Sequence, residues 1–178
     1  MKAQVIESDR LLLKPLGEEH ISSAYVAWLN DPDVIRYLES GGDYSMDQLE
    51  TYVRNVLAQD IYFWAIHLKE SGKHIGNIKI DPVNLKHRFG EYGILLGEKN
   101  EWGKGYGKEA SIRIIDYCFQ EINLRKINLG VVLDNMAAFN LYKSIGFELE
   151  GIYRSHGFYN GKYCDIARMA IFNPELKI

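Results

Sequence analysis

The stretch Trp102-Gly103-Lys104-Gly105-Tyr106-Gly107-Lys108-Glu109-Ala110 sets three glycines in alternation where a helix-forming run begins. Glycine reaches backbone dihedrals closed to other residues and lets the chain approach a ligand closely. The first N–H groups of the following helix have no intrahelical acceptor, and they point outward together at the positive end of the helix dipole. The stretch therefore reads as an anion cradle, with phosphate as its natural guest. Spacing excludes two other phosphate loops. A Walker loop needs Gly-Lys followed by Ser or Thr, and Lys104 is followed by Gly105. A dinucleotide fingerprint needs two residues between its second and third glycines, and only Tyr106 separates Gly105 from Gly107.

Upstream, Gly90-Glu91-Tyr92-Gly93-Ile94-Leu95-Leu96-Gly97 reads as a buried strand with a bulge. Downstream, residues 110–122 carry a helical apolar pattern through Ile114, Ile115, Cys118, Phe119 and Ile122, and residues 126–133 read as a strand. Asn135-Met136-Ala137-Ala138-Phe139-Asn140-Leu141-Tyr142-Lys143-Ser144-Ile145-Gly146-Phe147 follows. This ordered set resembles the GNAT superfamily of acetyl-CoA-dependent N-acyltransferases, in particular its branch related to the ribosomal-protein N-terminal acetyltransferases. The resemblance runs from Ser8-Asp9-Arg10-Leu11 to Ala167-Arg168-Met169. It implies an α/β fold with a mixed, mostly antiparallel central sheet flanked by helices, in which two central strands splay apart to admit acetyl-CoA.

The 178 residues, 47% of them hydrophobic, can bury a sizeable core, and no linker, low-complexity tract or repeat divides them, so residues 1–178 are expected to form one domain. A formal net charge of −3 argues against general nucleic-acid affinity, which normally shows a basic face. No apolar stretch is long enough to span a bilayer and residues 1–10 lack a signal-like centre, so the expected location is cytoplasmic, without membrane association. Cys118 and Cys164 have neither the number nor the spacing for a disulfide scaffold or a zinc site. No metal is expected.

Residues 10–16 read as a first strand and residues 18–29 as a helix with Ile21, Ala24, Tyr25 and Leu29 on its apolar side. Asn30-Asp31-Pro32-Asp33 stops that helix and opens a short one, with Asp31 as cap and Pro32 in the first turn. Ser45 and Gln48 form a possible capping box for a helix through Leu49, Tyr52, Val53, Val56 and Leu57. Strands are expected at residues 62–68 and 74–80 around Ser71-Gly72-Lys73, and at 148–158 and 162–172 around Asn160-Gly161.

Acetyl transfer to an amine requires holding the cofactor, offering the amine neutral, and protonating the departing thiolate. The resemblance implies that Trp102, Gly103, Lys104, Gly105, Tyr106, Gly107 and Lys108 bind the pyrophosphate, chiefly through backbone N–H groups. It also implies that Leu95, Leu96 and Gly97 pair with the pantetheine arm like an added strand. Where many family members carry Gln or Arg this chain has Trp102, so side-chain contact there differs. Asn135 matches a cofactor-contacting asparagine, or is simply a helix cap. Tyr142 matches the tyrosine that protonates the coenzyme A thiolate in many members; packing beside Phe139 and Phe147 is its bland alternative. Glu91, at the start of the strand lining the splay, is the candidate base, directly or through water; otherwise it is a solvated strand-end carboxylate.

The acceptor is expected between residues 28–44 and 153–163, as in similar proteins. Asp31, Asp33, Glu39 and Asp43 suit a polyamine, while His87, Arg88, Arg154, His156 and Tyr159 suit a sugar nucleotide. The reading favours a small amine, an amino sugar ahead of a polyamine or a protein amino terminus. A non-catalytic acetyl-CoA sensor is the alternative of another class, and Tyr142 speaks against it. Dimers are common among similar proteins.

Overall fold

The computed structural model describes residues 3–39, 42–59 and 61–176. Eight strands form one sheet in the order β1-β2-β3-β4-β5-β6-β8-β7. They are β1 (Ile6–Glu7), β2 (Leu11–Pro15), β3 (Tyr62–Leu68), β4 (His74–Asn84), β5 (Phe89–Leu96), β6 (Lys126–Val132), β7 (Glu148–Tyr159) and β8 (Lys162–Phe172). Every pairing is antiparallel except β5 with β6. That parallel pair holds at Phe89↔Lys126, Gly90↔Ile127 and Glu91↔Asn128 and then ends, although both strands run on. The expected splay is there.

Helices cover the two faces of the sheet, which explains why β3 is apolar without alternation. On one face, α4 (Tyr106–Gln120) and α5 (Met136–Ile145) contribute Ala110, Ile114, Cys118 and Tyr142 to a core with Trp64, Ile66, Ile78, Ile80 and Tyr92. On the other, α1 (Ser23–Asn30) and α3 (Met46–Leu57) pack Tyr25, Trp28, Leu49 and Val53 against Phe63 and Ala65. Between them lies the short α2 (Pro32–Ile35), capped by Asp31, whose carboxylate accepts from the Asp33 N–H at 2.9 Å. Ser45 and Gln48 close the expected capping box at the head of α3.

The structure corrects three expectations. The helix over 18–29 is broken: Glu18–His20 is one 3-10 turn, Ile21 is extended, and α1 starts only after Ser22, whose hydroxyl accepts from the Tyr25 N–H at 3.2 Å. The bulge lies in β4 rather than β5, where Ile80↔Tyr92 is followed by Val83↔Gly90. Pro82 sits in that interval and has no N–H to give the ladder. The pattern over 110–122 is carried by a helix that begins four residues earlier, at Tyr106, directly after Gly105, with no side chain capping it. Ser40 and Gly41, inside the expected acceptor segment, lie outside the described residues. Among the described residues no helix is long and apolar enough to cross a membrane.

Candidate active site

The loop before α4 turns on two residues in the left-handed region, Gly103 at φ 76° and Gly105 at φ 83°, the latter being the N-cap. The first bond inside the helix runs from the Glu109 N–H to the Gly105 carbonyl at 3.1 Å. Tyr106, Gly107 and Lys108 therefore keep N–H groups without a partner among the described residues, and Gly105 has no side chain to cap them. Gly107 has an ordinary backbone and is buried for packing, since a Cβ there would lie 3.1 Å from Leu96 Cδ1. The Lys104 ammonium is already paired with Glu101 at 2.8 Å, whereas Lys108 is exposed with no acidic partner among the described residues.

Along β5 the hydrogen-bond pattern decides which backbone groups face the splay. Gly97 donates to the Ile75 carbonyl at 3.0 Å, and Leu96 stands opposite Gly76. By the alternation of antiparallel ladders, the groups of Leu95 and Gly97 point toward β4, and those of Ile94 and Leu96 point toward the gap. The Leu96 carbonyl is taken by the indole N–H of Trp102 at 2.9 Å. What is left on this edge is the Leu96 N–H and both groups of Ile94, a residue the sequence reading did not single out. Gly97 serves packing as well: an added Cβ would lie 2.0 Å from the Trp28 ring.

Tyr142 is 8% exposed, with its ring edge-on to Tyr92 at 5.7 Å and tilted against Phe147 at 5.8 Å. Burial pushes its phenol up to about 12, and its hydroxyl has no hydrogen-bond partner among the described residues. Asn135 caps α5, its side-chain oxygen accepting from the Ala138 N–H at 3.2 Å. Glu91 is not a free strand-end carboxylate. It accepts from Arg168 Nη2 at 2.7 Å and from the Asn128 side chain, so three adjacent strands meet at one polar cluster. Gly130 makes room for it, since a Cβ there would stand 2.8 Å from Arg168 Nη1. A charge in the middle of an apolar strand, Ile166 to Ala170, was the signal for Arg168.

Residues 31–39 bridge the open end of the splay. On the β5 side, Asp31 and Asp33 pair with Lys99 at 2.7 and 3.0 Å. On the β6 and β7 side, Tyr159 donates to Glu39, and Tyr37 donates to the Asp134 carbonyl at 3.4 Å. Asp43 has no partner among the described residues. His87 and Arg88 do not join this mouth. They precede β5, at its opposite end, where Arg88 donates to the Asn123 carbonyl at 2.8 Å. Arg154 reaches Asp165 at 2.8 Å and His156 packs edge-on to Tyr153. Among the described residues no cluster of three or more His, Cys, Asp or Glu is disposed to hold a metal ion.

A mixed sheet that splays beside an uncapped helix start is the architecture of acetyl-CoA-dependent acyltransferases. Residues 10–148 match the acetyltransferase (GNAT) domain, and the chain belongs to that family of N-acetyltransferases. The spermidine N(1)-acetyltransferase of Escherichia coli K12 is 30% identical over 172 residues, 92% of this chain and 86% of that protein. Among solved structures, the spermidine N-acetyltransferase of Vibrio cholerae in complex with CoA and spermine superposes with a TM-score of 0.84 at 28% identity, covering 93% of this chain and 97% of that one. The ribosomal-protein-S5-alanine acetyltransferase of Vibrio fischeri shares the fold with a TM-score of 0.85 at 16% identity, over 98% of this chain and 99% of that one.

Proposed function

We propose that the protein transfers an acetyl group from acetyl-CoA to the primary amine of a small molecule by direct attack, with an amino sugar as the acceptor class. In this reading the amides of residues 103–108 hold the pyrophosphate, aided by Lys108 and the helix dipole, while Asn135 lies beside the cofactor as it caps α5. The pantetheine arm follows the free edge at Ile94 and Leu96. Glu91, held by Arg168 and Asn128, takes a proton from the ammonium directly or through water. The neutral amine attacks the thioester carbon, a C–N bond forms, the C–S bond breaks, and the sulfur takes the Tyr142 proton. The second proton of the nitrogen returns to Tyr142. A phenol at about 12 keeps its proton throughout the neutral range, so it is always ready as the donor. The observation that supports the transfer is Tyr142, whose ring is buried against Tyr92 of β5 while its hydroxyl has no hydrogen-bond partner among the described residues, a group a mere binder of acetyl-CoA has no use for.

For the acceptor, the supporting observation is that the carboxylates of the bridging segment are occupied. Asp31 and Asp33 share Lys99 and Glu39 takes the Tyr159 hydroxyl, so a converging anionic slot for a polycation is missing among the described residues. The exposed Tyr153 offers an aromatic face instead, beside Arg154, which is itself paired with Asp165 at 2.8 Å. The likeness to spermidine acetyltransferases favours a polyamine as the second reading. Coenzyme A release with acetyl-CoA against amino sugars, sugar nucleotides, polyamines and amino-terminal peptides decides between them. The expected result is turnover with an amino sugar or its nucleotide; turnover confined to polyamines would replace this reading with the second. Within the family, the opening Ser8-Asp9-Arg10-Leu11 and the aromatic Trp102 support a place near the ribosomal-protein N-terminal acetyltransferases.

A further inference from the structure

Arg10 is 94 residues away from Lys104 in sequence, yet its side chain is built into the loop. Its Nη1 donates to the Lys104 carbonyl at 3.0 Å, its Nε to Glu109 Oε2 at 2.7 Å, and its guanidinium lies 4.5 Å over the Tyr106 ring. We propose that Arg10 is a positioning residue for acetyl-CoA, one that keeps the amide cradle aimed and cancels the negative charge of Glu109 beside it. The inference rests on the placement of the pyrophosphate at residues 103–108.

Two physical arguments lead there. The first concerns the peptide joining Lys104 to Gly105. A flip of it turns on ψ of Lys104 and φ of Gly105, and glycine at φ 83° can take φ of either sign, so the loop itself opposes the flip only weakly. In a planar trans peptide the carbonyl and the following N–H point in opposite directions. By holding the Lys104 carbonyl toward its own guanidinium, Arg10 fixes the Gly105 N–H to point the opposite way, and in the proposed binding mode that N–H joins the Tyr106, Gly107 and Lys108 amides. A flipped peptide would present a carbonyl oxygen to the phosphate in place of a donor.

The second concerns charge. Glu109 lies in the first turn of α4, where an anion favours the helix but competes with a bound pyrophosphate for the same positive end. Burial alone would raise its pKa, yet the Ser8 hydroxyl at 2.7 Å, the Arg10 N–H at 2.8 Å and the Arg10 guanidinium bring it below the usual range. The carboxylate is thus ionised, and the Arg10 guanidinium is the cation that balances it.

The test is calorimetric titration with coenzyme A plus steady-state kinetics on Arg10→Ala, Arg10→Lys, the double variant Arg10→Ala/Glu109→Gln, and Gly105→Val. Arg10→Ala is expected to raise the coenzyme A Kd and the acetyl-CoA KM about tenfold, the size set by losing charged hydrogen bonds, with kcat and acceptor KM within about twofold. Removing the stranded charge in the double variant should recover at least about threefold of that loss, which a purely structural role of Arg10 would not predict. Arg10→Lys keeps the charge but cannot span both acceptors, so it should fall in between; it also serves if Arg10→Ala fails to fold. Coenzyme A binding by Arg10→Ala within twofold of the parent, while Gly105→Val binds weakly, would overturn the proposal and leave the cradle in place. Absence of any rescue in the double variant would overturn the charge argument. Normal binding by Gly105→Val would overturn the placement of the pyrophosphate and the proposal with it.

Discussion

At Tyr142 one oxygen atom separates a catalytic side chain from a packing one. The ring fills space between Tyr92 and Phe147, and Phe in its place keeps that contact. Tyr142→Phe is therefore expected to leave the melting temperature and the acetyl-CoA KM nearly unchanged while lowering kcat by about a hundredfold or more, the usual contribution of a positioned acid. Steady-state kinetics with the best acceptor checks this, and a kcat within threefold of the parent across neutral pH would return Tyr142 to the core. Glu91 behaves differently because its partners are charged. Glu91→Gln leaves Arg168, partly buried, without its counter-ion, so this change should lower activity and also destabilise the fold by about 1 to 3 kcal/mol. Thermal unfolding separates the two effects, and an unchanged melting temperature would mean that the Arg168 pair contributes nothing to stability.

The loop before α4 shows that its glycines are not interchangeable. Gly105→Val forces a β-branched residue to φ 83°, which bulky residues avoid, so the loop must rebuild and the coenzyme A Kd should rise at least about tenfold. Gly107→Val meets only the Leu96 and Leu141 tips at 3.1 and 3.8 Å, so its effect should be smaller and appear as much in stability as in binding. Calorimetry on both variants would show whether conformation or space governs the cradle. The loop, the hairpins and the buried strand β3 were legible in the sequence because each depends on neighbours a few residues apart: glycine alternation, Asn160-Gly161, an unbroken apolar run. The break before α1 was hidden because the apolar spacing of Ile21, Ala24 and Tyr25 runs through it, and Ser22 wins locally as a cap. The partners of the site were hidden for a different reason. Arg10 reaches Glu109 and Arg168 reaches Glu91 across 99 and 77 residues, and no local pattern encodes such a meeting. The free edge at Ile94 likewise follows from which residues pair across β4 and β5, a matter of register.

Across the whole molecule, the layer of α1 and α3 meets the sheet at a cluster of three histidines, His20, His67 and His74. His20, in the turn before α1, lies with Nε2 3.1 Å from Nε2 of His67 at the end of β3, and His74 at the start of β4 sits 5.1 to 5.2 Å from both rings. The Gly72 carbonyl can only accept, so the His67 proton is on Nδ1, and the His20 Nε2–H must be the donor between them. The remaining His20 nitrogen accepts from the Gly17 N–H at 2.9 Å, with the Gly17 carbonyl also 3.2 Å away. Burial lowers His74 to about 4 and also lowers His20, against the pull of Glu19 at 3.8 Å. An unfolded chain binds these protons near pH 6.5 and the native state does not, so stability is flat above 6.5 and falls as the pH drops from 6.5 toward 4. For His74 alone the loss across that window is about 3 kcal/mol, from 1.36 kcal/mol per unit of pKa. The carboxylates lowered by their partners, Asp31, Glu98, Glu109 and Asp165, have the same sign in a lower window: their contribution disappears as the pH falls below the usual carboxylate range. Denaturant melts between pH 7 and 5 thus isolate the histidines. His74→Asn should lower stability at every pH but flatten the slope in that interval, because the titrating group is gone, and a slope equal to the parent's would mean that α1 is held to the sheet without regard to the charge of this cluster.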